Sequence, residues 1–314
     1  MIAASAALMA LAALSVAWLV WWAKREVRPA EPAEGSVLRF PGGDLHVHEQ
    51  GRKHLQTVVL LHGFGGSMRW WKACADQLSG RFHVIRVDLP GHGASEKHRG
   101  DYSIDAAATL VGAALDQMRV DRAWIVGQSM GGFVAVTLAQ MRSSLVAGLV
   151  LVDVPLELRH QNLNRLGRLA FTPCFGILLR TFATRRLLAR GLRPLFSPGY
   201  HIPDTFIGDL RRMTWSSFKG CDEALDMFLL SEPTPETRVR ALSMPVRVIW
   251  GTNDQLFPIV AAAPYRQMSN IAVHEIRDCG HSPMVEAPYE TTIAIAECIS
   301  PITLNSDTSS APQP

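Results

Sequence analysis

The chain has 314 residues, 48% of them hydrophobic and 19% charged, which gives room for one large core and excludes a disordered or collagen-like chain. A net charge of +3 is too small to imply a nucleic-acid partner, and no basic-aromatic pattern of a known nucleic-acid reader accompanies it. Five cysteines at wide, irregular spacing (Cys74, Cys174, Cys221, Cys279, Cys298) form neither a metal pattern nor a disulfide framework. They read as free thiols in or near a core, in a reducing compartment.

Residues 2–23 carry no charge and only Ser5 and Ser15 as polar side chains. As a helix they would span about 33 Å, enough for a hydrocarbon core of about 30 Å. A secretory signal would want a basic start, a shorter apolar run and a small-residue cleavage site, whereas here Trp18, Trp21 and Trp22 crowd the end of the run. The pattern predicts an uncleaved transmembrane anchor over residues 1–23. Lys24, Arg25 and Arg28 follow at once and place the rest of a single-pass chain on the cytoplasmic side. Residues 24–36, ending Pro-Ala-Glu-Pro-Ala-Glu-Gly-Ser, read as a polar linker.

Two short strands, near Val37–Phe40 and Leu45–Glu49, flank a Pro-Gly-Gly-Asp turn. Thr57–Leu61 is a buried strand running into His62-Gly-Phe-Gly-Gly-Ser67, a glycine-rich loop that lacks both the P-loop lysine and G-x-G-x-x-G spacing. Phe82–Asp88 is a further strand, followed by Leu89-Pro-Gly-His-Gly-Ala-Ser95. Asp88 and His92 there read as turn-stabilising side chains rather than reacting ones. Ser103–Arg119 has helical periodicity with Ser103 as a candidate N-cap.

The stretch Gly127-Gln-Ser-Met-Gly131 follows an apolar strand, 122–126, and precedes a helical run, 132–139. A serine between two glycines at a strand-to-helix turn is the pattern of a nucleophile elbow, where side chains at the glycine positions would collide with neighbouring backbone. Val146–Val152 is another strand, ending at Asp153, and Pro245–Trp250 and Ala272–Arg277 supply two more. The alternation of strands and helices predicts an α/β fold with a mostly parallel central sheet and helices on both faces.

Three motifs in combination, His62-Gly-Phe-Gly-Gly66, Asp88-Leu-Pro-Gly-His-Gly-Ala-Ser95 and Gly127-Gln-Ser-Met-Gly-Gly132, resemble the α/β-hydrolase superfamily, in its esterase, lipase and C–C hydrolase branch. The resemblance spans roughly residues 37–300, apart from an insertion. It implies Ser129 as nucleophile, an acid at Asp254 in Gly251-Thr-Asn-Asp-Gln-Leu-Phe-Pro258, and a base at His281 in Asp278-Cys-Gly-His-Ser-Pro283. Asp153 is the rival acid, at the end of the preceding strand. His274, the other histidine after Asp254, lies inside a predicted strand. The backbone N–H groups of Phe64 and Met130 would form the oxyanion hole. The implied chemistry is acyl transfer through an acyl-enzyme, with no metal and no organic cofactor.

The core is accordingly expected over 37–154 and 241–300, with a helical cap over 155–240 and a disordered tail over 301–314. From Pro155 to Lys219 there are eleven Lys or Arg against Glu157, Asp204 and Asp209, a net +8 that leaves −5 for the rest of the chain. Interleaved apolar residues make this a basic amphipathic cap, which fits either an anionic lipid surface or a solvated face over ordinary cap packing. The expected substrate is a small lipophilic carboxylic ester, in a layout similar to single-pass monoacylglycerol lipases. C–C hydrolysis of a diketone and ligand binding on a hydrolase scaffold are the alternatives.

Overall fold

The computed structural model describes Ala10, residues 13–18, Trp21, 34–97 and 101–300. Eight strands form one sheet: β1 (Ser36–Leu38), β2 (Leu45–Gln50), β3 (Thr57–Leu61), β4 (His83–Val87), β5 (Ala123–Gln128), β6 (Val146–Val152), β7 (Val246–Gly251) and β8 (Ala272–Ile276). Their spatial order is β1-β2-β4-β3-β5-β6-β7-β8. β1 and β2 pair antiparallel, β2 joins β4 antiparallel, and every pair from β4 onward is parallel. Every residue of β3, β4 and β5 is buried. Largely apolar strands are what a sheet covered on both faces requires, and the two polar side chains of β4 are paired, His83 with Thr57 and Glu49 and Arg86 with His48 and Gln50.

The covering helices are α1 (Lys72–Leu78), α2 (Ile104–Gln117), α3 (Met130–Met141) and, after β7, the short α10 (Ala263–Arg266) and α11 (Pro283–Glu286) and the longer α12 (Pro288–Ile299). Two main apolar clusters result. Val59, Leu61, Ile85, Ile125 and Leu149 meet α2 and α3, while Val58, Leu60, Val84, Val126 and Val150 meet α1 and α12. The alternation of in and out along one strand thus fills both cores. Ser103 caps α2 as the sequence predicts, its Oγ accepting the N–H of Ala106 at 3.1 Å.

Between β6 and β7 the chain forms α4 (Arg165–Ala170), α5 (Pro173–Phe182), α6 (Arg185–Gly191), α7 (Asp204–Arg212), α8 (Trp215–Leu229) and α9 (Pro235–Arg240). This segment is called the cap below. α4 to α6 share a small cluster of their own with α7, built on Leu179, Ala183, Leu188 and Ile207. One buried carboxylate ties α7 to the loop after β3: Asp209 accepts from Ser67 Oγ at 2.6 Å, Trp70 Nε1 at 3.1 Å, Arg69 and Arg212.

Most of the anchor predicted over residues 1–23 lies outside the described residues, as do most of the linker and the whole of the 301–314 tail. No helix among the described residues is long and apolar enough to cross a membrane. The linker's end is attached to the sheet, because Glu34 pairs with the buried Arg86 at 3.2 Å and Ser36 already belongs to β1. The elbow strand runs two residues further than its apolar pattern implies, to Gln128, and the helix begins at Met130. Four cysteines, Cys74, Cys221, Cys279 and Cys298, are buried and free, and burial pushes the thiols of Cys74, Cys221 and Cys298 up to about 12.

Replacing Asp209 with Ala would strand the Ser67 hydroxyl and the Trp70 indole N–H in a buried position. The expected loss of unfolding free energy is about 2–3 kcal/mol, the half-exposed Arg69 and Arg212 adding little. Urea unfolding of the variant beside the wild type measures it; a change below about 0.5 kcal/mol would show that the cap does not depend on this carboxylate.

Candidate active site

The turn between β5 and α3 is one residue long. Ser129 has φ 49° and ψ −116°, a region that side chains other than glycine's rarely occupy. Its N–H donates to Val152 O and its carbonyl accepts from Gly132 N, both at 2.9 Å. A Cβ at Gly127 would lie 2.3 Å from Gly131 O, and one at Gly131 would lie 2.6 Å from the carbonyl oxygens of Leu61 and His62. Glycine at both positions lets the start of α3 press against β5 and against the end of β3.

That contact sets the oxyanion geometry proposed from the sequence. Met130 is the first residue of α3, and its N–H belongs to the unpaired group at a helix N-terminus, where the helix dipole favours negative charge. Among the described residues neither its N–H nor that of Phe64 has an acceptor. The loop carrying Phe64 is held by two histidines. His92 Nε2 accepts Gly65 N–H at 3.1 Å while its Nδ1–H donates to Pro90 O, and His62 Nε2 accepts Leu89 N–H at 2.9 Å. Asp88 accepts from Met68 N–H, Ala94 N–H and His46. His92 and Asp88 therefore organise the loops, as the sequence implies. Burial, reinforced by the neighbouring His62, lowers His92 to about 3, and burial lowers His62 as well, so both imidazoles stay neutral and able to accept.

Asp254 follows β7 and His281 follows β8, so both stand with Ser129 at the C-terminal edge of the parallel strands. Asp254 Oδ1 accepts the N–H groups of Leu256 and Phe257, at 2.8 and 2.9 Å, leaving Oδ2 to accept His281 Nδ1–H at 2.7 Å. Asp153, the rival acid, spends Oδ1 on Gly251 N–H at 2.9 Å, and its Oδ2 has no partner. Burial and then the charge of Asp254 raise its carboxyl well above the usual range, so it stands as a neutral acid beside the pair. The ligand atoms of Asp153, Asp254 and His281 lie within 4.8 Å of one another, the one metal-like grouping among the described residues, but there His281 and Asp254 are already paired with each other.

His281 Nε2 is buried and unpartnered, and His281 and Ser129 line one cavity of about 390 Å³. No hydrogen bond joins them here, and such bonds are commonly long before substrate binds. Most of the cavity wall is apolar: Phe64, Phe171 and Phe218 pack at 5.0–6.0 Å between centroids and Leu166, Leu179 and Leu188 come from the cap, while Arg168, Asp222 and Asp226 add charged groups to the lining.

Two further side chains position this site, and the sequence reading missed both. Gln128 Nε2 donates to the backbone carbonyl of His281 at 2.9 Å, joining the elbow to the histidine loop. Glu286 accepts Gly280 N–H at 3.1 Å and the cap's Ser197 N–H at 2.8 Å, joining that loop to the cap. Gln128 was visible only as the variable residue of G-x-S-x-G, and Glu286 only as an acid five residues after His281.

Fold and site together define a hydrolase. The chain belongs to the alpha/beta hydrolase fold family, whose model matches residues 56–288. It is 24% identical over 262 residues to a monoacylglycerol lipase of Homo sapiens, covering 79% of this chain and 77% of that protein. It is 28% identical over 262 residues to the 2-hydroxy-6-oxononadienedioate/2-hydroxy-6-oxononatrienedioate hydrolase of Klebsiella pneumoniae, covering 76% and 84%. In fold it is similar to the enol-lactonase from Burkholderia xenovorans LB400, with a TM-score of 0.71 at 21% identity over 84% of this chain and 99% of that one.

The buried neutral histidines carry a pH signature. Their folded-state affinity for protons is depressed while the unfolded chain takes them up near pH 6.5, so the stability they confer is present above that pH and lost as pH falls. His92 alone is expected to remove about 2 kcal/mol of unfolding free energy between pH 7 and pH 5. His92→Gln, which keeps an acceptor for Gly65 N–H without titrating, should flatten that slope in denaturant titrations; an unchanged slope would assign the acid sensitivity elsewhere.

Proposed function

We propose that this hydrolase is a serine esterase of lipophilic carboxylic esters, of the monoacylglycerol or lysolipid kind. The observation that carries the reading is the strained Ser129, in the same apolar cavity as a histidine whose far nitrogen is held by a buried carboxylate. In this reading His281 Nε2 takes the Ser129 proton, Ser129 Oγ attacks the ester carbonyl, and the amides of Phe64 and Met130 hold the oxyanion. Asp254 fixes the imidazole tautomer. Collapse of the tetrahedral adduct expels the alcohol with the proton from His281, and water then releases the acid by the same steps. No metal or organic cofactor enters the scheme.

The cavity volume and its aromatic and leucine walls favour an acyl chain. Hydrolysis of nitrophenyl esters is expected to rise with acyl chain length, and Ser129→Ala to lower kcat/KM by at least about 10⁴-fold. A folded protein inactive on every ester would return the assignment to C–C cleavage, the reading favoured by the Klebsiella relative, or to ligand binding without turnover. Asp254→Asn should cost about 10⁴-fold, whereas Asp153→Asn, which leaves the His281 pair intact, should stay within about tenfold of wild type. The reverse ranking would make Asp153 the acid.

The reading extends to location: a single-pass anchor over residues 1–23, with the hydrolase on the cytoplasmic face, supported by the uncharged run, its tryptophans and the basic residues behind it. After an alkaline wash the full chain should stay in the membrane pellet, and protease added to intact cells should leave the hydrolase uncut. Release from the pellet would remove the anchor, and digestion from outside would reverse the topology.

A further inference from the structure

We infer that the outer face of α4, α5 and α6 is a docking surface for an anionic lipid bilayer. The starting point is charge. From Leu158 to Pro203 the chain holds eight arginines and no acidic residue. Asp204, at the start of α7, pairs with Arg185. Arg165, Arg186 and Arg190 are exposed and form no ion pair among the described residues, so a cluster of cations on consecutive helices faces water without protein counter-ions.

The apolar pattern adds the second half. Phe175, Leu178 and Phe182 recur at positions i, i+3 and i+7 of α5, which places them on one helix face, and they are 47%, 39% and 62% exposed. Leu169, at the end of α4, is 42% exposed. The other side of α5 is satisfied by the protein, since Ile177 and Leu179 are buried. Large apolar side chains held in water cost free energy that a protein core does not recover, and the unpaired arginines stand on α4 and α6, the helices before and after α5. An interface of acyl chains below and anionic headgroups above satisfies both kinds of group at once. An acidic protein groove could neutralise the arginines, but the run of exposed phenylalanine and leucine on a single short helix matches the shallow apolar zone of a bilayer.

The inner sides of the same helices strengthen the case. Leu166, Phe171, Leu179, Leu187, Leu188 and Leu192 line the Ser129 cavity, so the bilayer would lie against one side of these helices and the reacting centre on the other. With the small apolar cluster of their own, the helices can meet the membrane as a unit. Docking by this face would open a route for a single-chain lipid from its leaflet to Ser129. Only that last step rests on the ester reading; the docking rests on the surface itself.

The test uses the full chain, whose N-terminal segment can associate with any vesicle, so the readout must be local. Hydrogen exchange of residues 165–190 is followed with phosphatidylcholine vesicles and with vesicles carrying about 30 mol% phosphatidylglycerol, where each basic residue near the surface adds attraction. Exchange in this segment is expected to slow at least about tenfold with the anionic vesicles alone, and the effect to fade at roughly 0.5 M salt, where surface charges are screened. Arg186→Glu/Arg190→Glu and Phe175→Asp/Phe182→Asp should each abolish it, while hydrolysis of a soluble short-chain nitrophenyl ester stays within about threefold of wild type. Salt dependence in the unmutated chain keeps the question answerable should a variant misfold. Equal exchange in both vesicle types overturns the proposal, and so does protection that grows with protein concentration in the absence of lipid, which would assign the face to a second copy of this chain. Protection without any esterase activity would leave the docking surface standing and remove the ester reading instead.

Discussion

The close approach of the start of α3 to the ends of β3 and β5 is the constraint on which the site depends. It exists because Ser129 adopts a backbone conformation that costs about 1–3 kcal/mol and because no Cβ stands at Gly127 or Gly131. The strain is held by fixed surroundings: Ser129 N–H is bonded to Val152 on the neighbouring strand, and most of α3 is buried. From this one turn follow the partial exposure of Ser129, the unpaired N–H of Met130 and the nearness of the loop that carries Phe64.

Around the turn, polar groups are buried with assigned work. Backbone N–H groups hold one oxygen of Asp254 and leave the other for His281. At His62 and His92 one ring nitrogen accepts a loop amide and the other faces a backbone carbonyl, whereas both ring nitrogens of His46 face acceptors, Asp88 and the carbonyl of Glu34. Burial disfavours charge on His46, yet the Asp88 carboxylate outweighs it and raises its affinity for a proton. The proton affinity of one residue type is thus pushed in opposite directions within one set of loops, according to whether its partner is an amide or a carboxylate.

The cap is joined to this frame at specific points. Glu286 and Gln255 hold the segment around Phe196 and Ser197 to the histidine and acid loops, and Asp209 holds α7 to the loop after β3. Burial raises the Glu286 carboxyl, although the amides it binds pull the other way. Beyond these points, α4 to α6 rest on their own small core and on the cavity beneath them. The result is a roof tied at a few points to the edge of the sheet that carries Ser129, Asp254 and His281.

The sequence alone determined what local chemistry controls. The central strands β3, β5 and β6 were legible because a strand covered on both faces reads as a largely apolar run, and the elbow was legible because only glycine fits beside it. Ser129 could be named because it stands in a turn directly after such a run, whereas Asp254 and His281 came from the resemblance of their loops to the α/β-hydrolase superfamily. Tertiary structure decided what depends on distant pairing. It gave His281 to Asp254 and turned Asp153 toward Gly251, a choice between two aspartates at adjacent strand ends that no spacing encodes. It also brought Asp209 to Ser67 across 142 positions, set Gln128 against the carbonyl of His281, and chose which side of α5 meets the cavity. Those contacts are made by side chains whose partners lie on other elements, so they exist only after the sheet has set the positions of its loops.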